Sequence, residues 1–409
     1  MNTQSEKRRK RPGSTLAKMF GAGIWGSRSV HAGATSTPML NGSADISAMS
    51  RSAPHSAGTS QALAKASIFL DTLPKCSAVN MSQQRALDRY LAAIERQEIH
   101  RIESHEASEF KPAEETWQLI SRAVLRAQRI YSDVPYSPHD TLLNPSSYSK
   151  KTTISDDELP NGNHAIVVTV RGSARFKDWL VNLNEAPVME HESLQPPQQC
   201  HRGFLAVAKD MQGNVLKAIV EKLDGMANAG RPVDLLFTGH SAGGAIAKLF
   251  YAMSSSPGGL FSSVIPRFRH VHCIVFGAPP VVASPILKPR SPHFQSGLFL
   301  NVVNERDPIP LAQQEYIHLL LNCFSRAQES KEPSTESLRA PKPILRVSGT
   351  CIVLMDVCGE TGQTEWRAVE VAPEVLETKL FGDPTMHDAG NYVARIDAAR
   401  LAGHLEVRK

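Results

Sequence analysis

The chain has 409 residues, of which 41% are hydrophobic and 21% charged, a composition typical of a globular protein that can bury a large core in one or two domains. The formal charge of +5 is unevenly spread, because residues 1–65 hold nine basic and two acidic side chains and carry +7, which leaves −2 for the rest. A near-neutral body does not favour nucleic acid as a partner, and no run approaches the roughly 18 apolar residues that a membrane span requires.

The cysteines lie far apart in the sequence. No Cys-x-x-Cys pair and no Cys/His spacing typical of zinc ligands occurs, so the sequence predicts no zinc site. A chain of this length does not depend on disulfides for its stability, and we expect free, partly buried thiols. The six residues are Cys76, Cys200, Cys273, Cys323, Cys351 and Cys358.

Residues 1–62 differ in composition from the rest of the chain. They are rich in Ser, Gly, Ala and Thr, which predicts a disordered basic tail. The basic run 7–11 is not followed by the apolar core of a secretory signal, so we expect an intracellular, cytoplasmic protein. A nuclear-import signal, part of an organellar presequence and an arm that contacts anionic lipid are the alternatives for this run.

The remaining residues, 63–409, are expected to form one domain that begins with two helices. Apolar residues recur at helical spacing from 82 to about 109, and a second helical stretch at 113–131 stops before Pro135. These two helices predict an N-terminal helical extension within 80–135 that covers the domain.

Short apolar runs after residue 160 predict buried strands. Helical segments at 204–223 and 242–253 alternate with them, which is typical of an α/β fold with a mostly parallel sheet and helices on both faces. The strands are predicted at 164–170, 233–238, 272–276 and 298–304.

The last third of the chain adds a different pattern. The runs 344–357 and 366–371 predict an antiparallel hairpin that extends the sheet. Before them, the stretch 325–343 is polar and contains prolines, which predicts an exposed insertion.

The pattern Gly-x-Ser-x-Gly at 239–243 follows a predicted strand and opens a predicted helix. A sharp strand-to-helix turn lifts the serine hydroxyl toward a substrate, and the two glycines let strand and helix approach closely. The start of the helix offers N–H groups that can stabilise an oxyanion. The sequence therefore predicts Ser241 as a nucleophile.

This turn resembles the nucleophile elbow of the class 3 lipases, the fungal-lipase-like α/β-hydrolases, whose usual form is Gly-His-Ser-Leu-Gly-Gly. The chain has Ala242 in place of Leu. Because the N–H of that residue is the group used, we expect the oxyanion hole to be retained. The resemblance covers roughly 110–400 and implies an α/β-hydrolase-type fold with a mostly parallel central sheet and flanking helices.

Two segments between the first strand and the elbow extend the resemblance. Arg171-Gly172-Ser173 resembles the strand end that supplies the other half of the oxyanion hole, which implies that role for Ser173 beside Ala242. Residues 174–187 carry an apolar stripe at helical spacing and resemble the family's lid. A helix that packs on the core is the alternative for that stripe.

The resemblance also implies the acid and the base of a catalytic triad. The segment 302–310 resembles the family's Val-Asn-x-x-Asp-Pro-Val-Pro, which implies that Asp307 is the acid. The base must follow it in chain order. His387 resembles the family's terminal histidine, which is followed closely by Tyr, and His318 and His404 are the alternatives.

These residues together imply a serine carboxylic-ester hydrolase, in the first place a lipase that cleaves acylglycerol esters through Ser241, Asp307 and His387 with an acyl-enzyme intermediate. No metal and no cofactor is implied. A phospholipase, an esterase for soluble esters, and a non-catalytic lipid-binding protein with the same fold are the alternatives. The expected partners are a lipid or ester substrate and, transiently, a membrane or lipid-droplet surface, with no nucleic acid.

Overall fold

The computed structural model describes most of the chain after residue 80. The predicted tail at 1–62 lies outside it, as does nearly all of the predicted lid. The described ranges are 81–132, 139–143, 150–159, 162–173, 186–226, 232–329, 338–358 and 364–406.

A nine-stranded sheet forms the centre of the described structure, with strands in the order β1-β11-β10-β9-β8-β7-β4-β3-β2. Two further short strands, β5 and β6, form an antiparallel ribbon of their own. The strands are β1 (Ala107–Glu109), β2 (Thr141–Leu143), β3 (Thr152–Glu158), β4 (His164–Val170), β5 (Val188–Glu190), β6 (Gln198–Cys200), β7 (Val233–His240), β8 (Val271–Phe276), β9 (Phe299–Asn304), β10 (Thr350–Cys358) and β11 (Thr364–Val371).

The five middle strands of this sheet, β4 and β7 to β10, are parallel, and the pairs toward both edges are antiparallel. Parallel strands need crossover connections, which here contain helices. The predicted α/β fold with a mostly parallel centre is confirmed, as is the antiparallel hairpin at its end, formed by β10 and β11. Because the strands are parallel, their carboxyl ends meet at one edge, where ligands usually bind in such sheets.

Helices cover both faces of the sheet, and two apolar clusters fill the space between. One cluster contains side chains of α1, α3, α4 and α6, and the other contains side chains of α2 and α8. The helices are α1 (Met81–Glu95), α2 (Glu114–Arg129), α3 (Arg202–Met226), α4 (Ala242–Ser254), α5 (Pro292–Gln295), α6 (Gln314–Gln328), α7 (Pro373–Leu376) and α8 (Ala389–Glu406).

The strand β7 shows why the two layers form. Leu235, Leu236 and Phe237 are all fully buried, since successive side chains of a strand point to opposite faces and both faces are covered. Leu235 and Phe237 belong to the cluster of α3 and α4, whereas Leu236 belongs to the cluster of α2 and α8. A continuous apolar run is therefore the correct signal for this central strand.

The first predicted helix was too long. Its apolar spacing extends from 82 to about 109, but α1 ends at Glu95 and residues 107–109 form β1 at the edge of the sheet. Two tertiary contacts override the helical pattern. The Ile102 N–H donates to the Glu305 carboxylate at 2.9 Å, and Ala107 pairs with Val371 of β11.

Other boundaries differ by smaller amounts. The predicted strand at 344–357 begins only at Thr350, and α6 continues to Gln328, four residues into the predicted insertion at 325–343. Residues 330–337 of that insertion lie outside the described residues. The strand β3 was not predicted, because three of its seven residues are acidic and give no apolar run.

Four of the cysteines lie in the described part with their side chains, and all four are free thiols, as predicted: Cys200, Cys273, Cys323 and Cys351. Among the described helices, none combines the length and the apolar character needed to cross a membrane.

A lysine is fully buried in α4. Lys248 Nζ donates to the carbonyls of Pro279 at 2.8 Å and Ala278 at 3.4 Å. Burial lowers the pKa of this ammonium group from 10.5 to about 8. Between these two values the unfolded chain binds a proton that the folded chain does not, so the free energy of unfolding rises with pH.

We therefore expect Lys248→Met to remove a pH dependence. Between about pH 7.5 and 10.5, the free energy of unfolding of the wild type should rise relative to that of the variant by on the order of 3 kcal/mol. Chemical denaturation over this pH range measures the difference. Lys217→Met, at a side chain with 71% exposure, is the matched control and should track the wild type. If the free energies of unfolding of the wild type and Lys248→Met changed equally with pH, the lowered pKa of Lys248 would be contradicted.

Candidate active site

Ser241 lies at the carboxyl end of β7, directly before the first residue of α4. Its backbone has φ 60° and ψ −132°, a conformation that a non-glycine residue adopts only under constraint. The constraint is the close packing of helix and strands, since a Cβ on Gly243 would overlap the carbonyl oxygen of Val170 at the end of β4. The Ser241 N–H donates to the Phe276 carbonyl at 2.9 Å, which ties the turn to β8.

The structure brings Asp307 and His387 together, although 80 positions separate them in the sequence. His387 Nδ1 lies 2.8 Å from Asp307 Oδ2. A carboxylate accepts hydrogen bonds, so Nδ1 of the neutral ring carries the proton and Nε2 keeps its lone pair. Asp307 follows β9, and His387 ends the short 3-10 helix Pro384–His387.

Asp307 is completely buried, and other donors hold its carboxylate in addition to His387. The Tyr392 hydroxyl donates to Oδ2 at 2.6 Å, and the Ile309 N–H donates to Oδ1 at 2.9 Å. The same tyrosine oxygen accepts the Asn304 N–H at 3.0 Å. Tyr392, which follows His387 by five positions in α8, thus ties Asp307 to the helix that follows His387.

Two observations locate this pair next to Ser241. A Cβ on Gly277, which follows Phe276, would lie 3.0 Å from both Asp307 Oδ2 and His387 Cε1. In addition, the ring of His240, the neighbour of Ser241, packs against the His387 ring with 4.5 Å between centroids. Three loops that follow β7, β8 and β9 therefore meet the loop before α8 at one edge of the sheet.

The two predicted oxyanion-hole residues also lie at this edge. Ala242 is the first residue of α4, and it is fully buried. Ser173 follows Gly172, at which a Cβ would lie 3.1 Å from the Ser241 Cβ. The Lys150 ammonium group donates to the Ser173 hydroxyl at 3.3 Å, a contact that the sequence did not indicate.

The alternative bases lie elsewhere. His318 belongs to α6, on the side of the sheet that faces the cluster of α1 and α6, and its neighbours Ile317 and Leu321 are core residues. His404 lies near the end of α8, where the side chains are outside the described part of the chain. Of the predicted lid at 174–187, residues 174–185 are likewise outside it.

One group of three side chains in the described residues has the spacing of metal ligands: Asp234, His270 and His272. It lies at the opposite end of β7 and β8 from Ser241. The Leu298 N–H donates to His272 Nδ1 at 3.0 Å, so the neutral ring carries its proton on Nε2 and offers no lone pair there. The Arg269 guanidinium, 2.6 Å from Asp234, fills the place of a cation.

The chain is similar in sequence to one family of known proteins. The sequence model of the family Lipase (class 3) matches residues 167–316. A comparison with curated protein sequences gives no match.

Solved structures of fungal lipases resemble the chain at low identity. The Rhizomucor miehei lipase propeptide complex has 13% identity and a TM-score of 0.45, and the match covers 73% of this chain and 91% of that one. The lipase of Rhizopus microsporus var. chinensis has 15% identity and a TM-score of 0.43, with 72% and 92% covered. Lipase II of Rhizopus niveus has 16% identity and a TM-score of 0.41, with 69% and 94% covered. No residue role follows from similarities of this size.

The family match runs from the middle of β4 through the strand-to-helix turn to the start of α6, and it includes Ser241 and Asp307. His387 and the N-terminal helices lie beyond its ends. Over residues 167–316, the chain is similar to the class 3 lipase family.

Proposed function

We propose that the chain is a serine carboxylic-ester hydrolase that cleaves acylglycerol esters, with Ser241 as nucleophile, His387 as general base and Asp307 as the acid that orients it. The observation that carries the proposal is the 2.8 Å hydrogen bond between His387 Nδ1 and Asp307 Oδ2, formed beside a serine whose backbone is held at φ 60°. The match to the class 3 lipase family supports the reaction type.

In the first half of the reaction, His387 Nε2 takes the proton from the Ser241 hydroxyl while Oγ attacks the carbonyl carbon of the ester. The carbonyl oxygen becomes an oxyanion, which the Ala242 N–H and the N–H and hydroxyl of Ser173 stabilise. The intermediate then collapses, the bond to the alcohol oxygen breaks, and His387 returns the proton to the departing alcohol. An acyl-enzyme on Ser241 remains.

In the second half, water attacks the acyl carbon and His387 takes its proton. Collapse of the second intermediate releases the carboxylic acid and returns the proton to Ser241. The lysine next to the oxyanion hole adds to the stabilisation in both halves, because Lys150 donates to the Ser173 hydroxyl and leaves that hydroxyl's own proton free for the oxyanion. No step requires a metal or a cofactor.

Ser241→Ala should abolish both ester turnover and covalent labelling. A fluorophosphonate probe should modify the wild type at Ser241, as mapped by peptide mass spectrometry, and should not label the variant. Ser255→Ala, at the far end of α4, is the matched control and should behave like the wild type. Turnover of a p-nitrophenyl ester by Ser241→Ala above the buffer rate would reject the nucleophile.

Asp307→Asn should lower kcat by about 10³- to 10⁴-fold, because the amide can present an N–H to the imidazole and hold it in the wrong tautomer. Steady-state hydrolysis of a soluble ester measures this effect, with circular dichroism as the check on folding. Asp224→Asn, at an exposed ion pair with Arg267, is the matched control. A loss of less than about tenfold would remove Asp307 from the triad.

The substrate class has its own test. We expect faster fatty-acid release from a triacylglycerol emulsion than from phosphatidylcholine with the same acyl chains. A neutral ester carries no charged phosphate, so its binding at the site incurs no cost for desolvating one. Titration of released acid, with Ser241→Ala as the blank, measures both rates. Preference for the phospholipid would make the chain a phospholipase. Hydrolysis of dissolved esters alone, with no rise above the solubility limit, would make it an esterase.

A further inference from the structure

A line of hydrogen-bonding groups crosses the site behind Ser241. The Gly172 N–H donates to the Tyr131 oxygen at 3.1 Å, and that hydroxyl lies 3.1 Å from His240 Nδ1. On the other side of the ring, His240 Nε2 lies 2.8 Å from the carbonyl oxygen of His387. The line thus joins the strand end of the oxyanion hole, the nucleophile turn and the loop of the base.

The chemistry of these groups fixes where the protons are. A carbonyl oxygen only accepts, so His240 Nε2 must donate to His387. The neutral ring then has a lone pair on Nδ1. The Tyr131 hydroxyl donates to it at 3.1 Å, since the other acceptor in reach, the His240 carbonyl oxygen, lies farther away at 3.5 Å, and the tyrosine oxygen accepts the Gly172 N–H. Every donor in the line faces an acceptor. Burial, and after it the neighbouring His387 imidazole, holds the pKa of His240 well below its ordinary value, which agrees with a neutral ring.

His387 is held at two places by this arrangement. Asp307 holds its ring through Nδ1, and His240 holds its main chain through the carbonyl. The two imidazole rings also lie against each other, with 33° between their planes. A base must lie within hydrogen-bond distance of the serine hydroxyl, so its position depends on both restraints, because small displacements of reacting groups lower rates strongly.

We propose that Tyr131 is a positioning residue that acts through His240: it fixes the Nε2–H tautomer of His240, and this tautomer holds the main chain of His387 in reach of Ser241. The tyrosine follows the end of α2, outside the segment that matches the family, so the N-terminal helices contribute to the site itself. The rate effect rests on the proposed function, whereas the tautomer does not.

The first test is a double-mutant cycle on kcat for a soluble p-nitrophenyl ester. Tyr131→Phe keeps the ring and removes the hydroxyl, and it should lower kcat by roughly 10- to 100-fold with KM little changed. In the background of His240→Ala, the same substitution should change kcat little further, because the imidazole that links Tyr131 to His387 is already absent. Equal losses in both backgrounds would overturn the proposal, since Tyr131 would then act without His240.

A matched control separates this effect from the general loss of a buried hydroxyl. Tyr251→Phe also removes a hydroxyl from a buried tyrosine, one whose oxygen has no hydrogen-bond partner among the described residues. That variant should retain the wild-type kcat. A Tyr131→Phe variant that equals Tyr251→Phe in kcat would show that the hydroxyl has no positioning role.

The second test reads the tautomer without reference to activity. In protein with 15N-labelled histidine, long-range 1H–15N spectra at pH 7 should show His240 as the Nε2–H tautomer, assigned by its loss in His240→Ala. Tyr131→Phe should shift this signal toward the other tautomer. A wild-type His240 that is charged or protonated on Nδ1 would overturn the proposal. A wild type that hydrolyses no ester but shows the Nε2–H tautomer would instead overturn the proposed function.

Discussion

The packing of the first turn of α4 against the end of β4 is the constraint on which the site depends. Gly243 has no Cβ to keep the helix away from Val170, so the turn that carries Ser241 packs closely against the ends of β4 and β8. Backbone strain of the kind seen at Ser241 costs about 1–3 kcal/mol. The burial of all residues of α4 offsets this cost, since each large apolar side chain removed from water stabilises the fold by roughly 1.5–3 kcal/mol.

The sheet brings together residues that the sequence keeps apart. Because β4, β7, β8 and β9 are parallel, the loops after them meet at one edge, and these loops carry Ser173, Ser241, Gly277 and Asp307. His387 lies instead at the end of the short 3-10 helix before α8. Helix α8 packs on the face opposite α4, and Tyr392 within it donates to Asp307. Tyr392 therefore links Asp307 to the helix that follows His387.

The sequence contains strong local signals for the centre of this fold. These signals are continuous apolar runs and glycines that can be read from adjacent residues alone. They predicted the positions of β4, β7, β8 and β9 and of the turn at Ser241. The edge elements were not, because Ala107 becomes a strand only through its pairing with Val371, and β3 has acidic residues where a buried strand is expected to be apolar. The contacts of Tyr131 could not be predicted from the sequence, since nothing near it in the chain indicates that it contacts a histidine 109 positions later.

We propose that one edge of the sheet presents Ser241 to His387, which acts as its base. A crystal structure of the protein after reaction with an alkyl phosphonate ester measures this most directly. We expect a phosphorus–oxygen bond to Ser241 Oγ, the phosphonyl oxygen within hydrogen-bond distance of the Ala242 N–H, and His387 Nε2 within hydrogen-bond distance of Oγ. An adduct on another residue, or an adduct on Ser241 with His387 turned away and bonded elsewhere, would contradict it.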